Sequence, residues 1–82
     1  MKYIVINIGF NFGHGSHSYE VLSIQDNQVL EDYYGHDDLL VIKQDGRNVG
    51  STFGEIIEEF TNQEEARDLV RNLFSIELVR DS

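Results

Sequence analysis

The sequence predicts an α+β fold, an antiparallel sheet of four to five strands with two short helices packed on one face. Three observations carry that expectation. Ile4, Ile6, Ile8 and Phe10 recur at period two, the signature of a strand. Asp45-Gly46, set between two apolar runs, is the dipeptide that a two-residue hairpin prefers. Phe53, Ile56, Ile57 and Phe60 recur at the i, i+3, i+4, i+7 spacing of an amphipathic helix.

Each element follows in order. Residues 3–10 read as a strand, and the apolar Tyr3 and Val5 on its second face predict that it is central. Residues 11–17, Asn-Phe-Gly-His-Gly-Ser-His, are a loop by composition. Tyr19 to Gln25 and Gln28 to Tyr34 read as two further strands. Asp26-Asn27 between them tolerates positive φ and predicts a tight hairpin. Leu39-Leu40-Val41-Ile42 is a short buried strand, with Arg47 to Val49 as a brief edge return after the Asp45-Gly46 turn.

The last third is expected to be helical. Thr52 with Glu55 and Thr61 with Glu64 each match a capping box and open one helix apiece. The second helix would turn Ala66, Leu69, Val70 and Leu73 inward, and Ile76 with Leu78 would form a closing strand.

At 82 residues the chain is expected to form one compact domain over 1–82. A chain this short has little core to give up to a deep cavity, which disfavours an enzyme with a buried site. Cysteine is absent, which excludes disulfides and thiolate metal sites. The apolar run Tyr3 to Ile6 is too short for a secretory segment, and nothing approaches a membrane span, so a cytoplasmic protein is expected.

The charge is unevenly placed. Twelve of the fifteen carboxylates fall within residues 26–45 and 55–68, and each stretch holds a single basic residue, Lys43 or Arg67. With a net charge of −9, such clusters repel nucleic acid and anionic membrane and attract basic protein surfaces. On the expected first helix, Glu55, Glu58 and Glu59 would lie opposite the apolar stripe with no lysine or arginine beside them. A second group, Asp37 and Asp38, follows Tyr33 and Tyr34, and tyrosine offers anchoring area at low entropic cost. These seven residues are the candidate partner-binding set. The competing reading is a solvated coat that keeps a small domain soluble.

Residues 9–17 carry glycines able to expose N–H groups to a phosphate, and His14 and His17 stand three apart with His36 elsewhere. The spacing matches no nucleotide-binding motif. Ser16, His17 and Asp37 form a triad on paper only, since no nucleophile elbow accompanies them. No catalytic residue, metal ligand or cofactor is therefore assigned.

In size, acidity and lack of cysteine and enzyme motifs, the chain resembles the small acidic inhibitors that bacteriophages direct against host defence nucleases, anti-CRISPR proteins among them. Some of those occupy the groove that normally holds nucleic acid. The resemblance implies a nucleic-acid mimic acting in the host cytoplasm on a protein with a basic, nucleic-acid-binding surface, with no direct contact to nucleic acid. Two alternatives remain. One is a ligand- or metal-binding module built on residues 9–17. The other is a homo-oligomer, such as a homodimer, joined through the Arg47–Val49 edge or the Ile76–Val79 strand.

Overall fold

A computed structural model describes residues 1–8, 18–35 and 38–80, with side chains as far as Ile76. The elements are β1 (Lys2–Asn7), β2 (Tyr19–Ile24), β3 (Gln28–Asp32), β4 (Leu39–Gln44), β5 (Arg47–Phe53), β6 (Glu55–Phe60) and α1 (Gln63–Arg80). The strands form two three-stranded antiparallel sheets, ordered β2-β1-β6 and β3-β4-β5. This corrects the expected single sheet with two helices: six strands and one helix make the described chain mostly β.

The first sheet lies between the second sheet and the helix. Cross-strand partners share a face, so the pairs Ile4↔Leu22 and Lys2↔Ile24 set Ile4, Ile6, Leu22 and Ile24 on one side. That side meets Leu40 of the second sheet, with Ile8, Leu30 and Ile42 packed around the contact. The other face of β1 presents Val5, which is fully buried, and α1 lies across β1, β2 and β6 with Ala66 fully buried. Tyr19, on that same face through its pairing with Asn7, meets Phe74 edge-on at 5.3 Å. The expectation that β1 is central therefore holds, because both of its faces are covered. Each deeply buried aliphatic side chain contributes about 1.5–3 kcal/mol.

The chain passes between the sheets at opposite ends of the molecule. Asp26-Asn27 does make a turn, closed by Gln28 N–H donating to the Gln25 carbonyl at 3.0 Å. The predicted hairpin does not form, because β2 pairs with β1 and β3 with β4. Lys2 Nζ donates to the Gln28 carbonyl across this junction at 3.3 Å. The second crossing is Gly54, at φ 151°. A Cβ there would sit 3.1 Å from Ile8 Cγ2 and 3.2 Å from the Asn7 carbonyl oxygen, so only glycine fits this corner.

Asp45-Gly46 makes the predicted hairpin, with both residues at positive φ (53° and 79°). Its return arm is longer than expected and runs to Phe53. The predicted first helix is instead β6. Gly54 and the β-branched pair Ile56-Ile57 disfavour a helix there, and antiparallel pairing with β1 decides the matter. Thr52 and Thr61 do not cap helices. The cap of α1 is Asn62, whose Oδ1 accepts from the Glu64 N–H at 2.8 Å. Glu64 and Glu65 in the first turn favour that end of the helix dipole. The expected inward residues Ala66, Leu69, Val70 and Leu73 are buried or half-buried, and the helix continues through the predicted closing strand.

Candidate functional site

Strand geometry rearranges the expected acidic helix face. Glu55, Glu58 and Glu59 lie on β6, an edge strand of the first sheet, and all three are exposed. An unbroken strand would send Glu55 and Glu58 to opposite faces. A bulge between Val5 and Ile6 instead leaves Ile57 without a partner, so Glu55 pairs with Asn7 and Glu58 with Val5. Those two carboxylates consequently share the helix-side face. Glu59, paired with Ile4, belongs to the opposite one. The three charges form a row along an edge rather than a patch on a helix.

The row extends at both ends. Beyond Phe60 the chain turns at Thr61-Asn62 into the exposed Glu64 and Glu65 of α1. At the other end, the Gly54 N–H donates to the Asp38 carbonyl at 2.6 Å, next to Glu55. Asp38, at φ 70°, closes the β3–β4 loop, and the Tyr33 N–H donates to the Leu39 carbonyl at 2.8 Å across the base of that loop. The loop therefore belongs to the same end of the molecule as the head of β6, although the two come from different sheets.

This end also carries exposed aromatic surface. Tyr34 is 97% exposed, Tyr33 45% and Phe53 60%. Tyr33 stands between two shallow depressions on the uncovered face of the second sheet, both floored by Val41. One is flanked by Glu31 and Lys43, which pair at 3.0 Å, and the other by Asn48 and Ser51. Phe53 was absent from the sequence-derived set because a helix reading had turned it inward.

Of the seven predicted residues, the structure gathers Tyr33, Tyr34, Asp38 and Glu55 at one end and sets Glu58 and Glu59 along the same edge. Asp37 lies outside the described residues, as do His36 and residues 9–17. Among the described residues the ion pairs are Met1–Asp26, Glu31–Lys43 and Asp68–Arg71, so neither the β6 carboxylates nor Asp38 has a basic partner there. No cluster of three or more metal-ligating side chains occurs among the described residues. No helix among them is long and apolar enough to cross a membrane.

No protein-family model, curated protein or solved structure matches the chain.

Proposed function

We propose that the domain is a protein-interaction module that docks a basic, nucleic-acid-binding surface of a partner along the acidic edge of β6. The observation that carries this reading is the Asp38–Gly54 clasp, which joins the Tyr33–Tyr34–Asp38 loop to the head of a strand whose carboxylates have no basic partner among the described residues. Glu55, Glu58, Glu59 and Asp38 attract arginine and lysine side chains and take charge-assisted hydrogen bonds from them. Tyr33 and Tyr34 supply the apolar anchor at one end. Docking excludes nucleic acid from the same surface, so the module acts as a cytoplasmic inhibitor and performs no chemistry itself.

The competing account is that edge carboxylates only prevent strand-to-strand association. Affinity capture from a host lysate, followed by salt elution and nucleic-acid competition, separates the two. Capture of a nucleic-acid-binding protein that elutes with salt and is displaced by nucleic acid supports docking. The triple substitution Glu55→Lys, Glu58→Lys, Glu59→Lys should abolish capture while circular dichroism stays native. Unchanged capture by a folded triple variant overturns the assignment.

A further inference from the structure

Among the described residues each sheet has two edge strands, and the four edges differ in charge. β2 carries Glu20, β3 carries Glu31 and Asp32, and β6 carries Glu55, Glu58 and Glu59. The fourth, β5, holds no carboxylate although it is the longest strand. Its residues are exposed apart from the half-buried Thr52, and they include large apolar surface at Val49 (52%) and Phe53 (60%). The whole hairpin Leu39 to Gly54 contains Asp45 against Lys43 and Arg47, a local charge of +1 within a chain of −9.

An uncovered strand edge presents unpaired N–H and C=O groups and is a template for another strand, and charge is the usual safeguard. Here carboxylates guard three edges and are missing from the fourth, whose one charge is Arg47. β5 carries the single charge of Arg47 at its first residue and a bulge at Val49, which has no counterpart on β4.

We infer that β5 is a self-association edge, and that its occupant is β5 of a second copy of this chain, paired antiparallel about a two-fold axis near Gly50. Charge selects this occupant. Two copies of a molecule this acidic repel one another across any seam made by β2, β3 or β6, and β5 is the one edge where that repulsion is absent. Symmetry allows it as well, since a two-fold near Gly50 lays β5 antiparallel to its own copy with Gly50 facing Gly50. The pairing joins the two second sheets into one six-stranded sheet and leaves the β6 edge of each copy free. It does not rest on the proposed docking of a basic partner.

The test is sedimentation equilibrium of the native chain from micromolar to millimolar concentration, at low and at high salt. A rise to twice the chain mass is expected, and raised salt should preserve it because no ion pair holds the seam. The double substitution Val49→Glu, Ser51→Glu should return the mass to that of one chain without loss of circular dichroism signal. Opposed Cα atoms in antiparallel strands are about 4.5–5.5 Å apart, within disulfide reach. Gly50→Cys in this cysteine-free chain should therefore give a covalent dimer under mild oxidation, and Val29→Cys on the β3 edge should not. A monomeric mass throughout overturns the inference, and so does a dimer that survives the double substitution.

Discussion

The N–H of Gly54 donates to the carbonyl of Asp38 at 2.6 Å. Asp38 ends the loop that leads into β4, and Gly54 is the single residue between β5 and β6. One main-chain hydrogen bond thus fastens a loop of the second sheet to the corner where the chain enters the first.

That corner tolerates no side chain. Gly54→Ala would hold a non-glycine residue at φ 151° and press its Cβ to 3.2 Å from the Asn7 carbonyl oxygen. Backbone strain of this kind costs about 1–3 kcal/mol. The melting temperature of a domain this size falls by about 4–8 °C per kcal/mol. A thermal melt of Gly54→Ala should show a loss of roughly 4–24 °C, and a loss under 3 °C would mean that the corner relaxes freely.

Leu40 is the only fully buried residue that the second sheet contributes to the shared core. Leu40→Ala removes the most deeply buried of the contacts that join the sheets and should cost about 2–5 kcal/mol. A domain of this length has about 4–12 kcal/mol in total. Urea unfolding should place the Leu40→Ala midpoint far below that of Val29→Ala, because Val29 is 45% exposed. Equal midpoints would indicate that the sheets do not share a core.

Asp26 couples stability to pH at the acid end. Its carboxylate lies 2.7 Å from the Met1 amino group, and the hydrogen bond from that group, then its positive charge, holds the Asp26 carboxyl below its ordinary value. A lowered folded-state pKa stabilises the fold above the unfolded aspartate value, and the contribution is lost as pH falls through the folded value. The window therefore lies below about pH 4. Asp26→Asn should flatten the fall of melting temperature with pH below about pH 4. At neutral pH it should change little, since the pair is exposed. Parallel acid curves for both chains would show that the pair is not coupled to folding.

Much of the fold was legible in local pattern. The alternation of β1 as far as Asn7, the Asp45-Gly46 hairpin and the inward residues of α1 appear as the sequence predicts, while Phe10 lies outside the described residues. The failures at β6 and at the Asp26-Asn27 turn share one cause, which is tertiary pairing. Phe53, Ile56, Ile57 and Phe60 satisfy a helical spacing, but Ile56-Ile57 is equally a strand pair, and only the arrival of β1 makes β6 a strand. Asp26-Asn27 signals a turn and cannot reveal that its two arms belong to different sheets. At the site, exposure of Glu55, Glu58 and Glu59 could be foreseen from charge alone. Their division between two faces could not, because it depends on the bulge opposite Val5 and Ile6.

The second sheet is one uninterrupted segment, Gln28 to Phe53, whereas the first is assembled from the two ends of the chain, with Tyr3 paired to Phe60. Local meanders close quickly, and pairings between distant segments are slow. The acidic edge strand is the last strand to leave the ribosome, and its distant pairing with β1 is expected to be slower than closure of the local meander. Until β6 arrives, one flank of β1 stands bare. A nascent chain stopped before Glu55 would offer a sticky apolar strand in place of a charged margin.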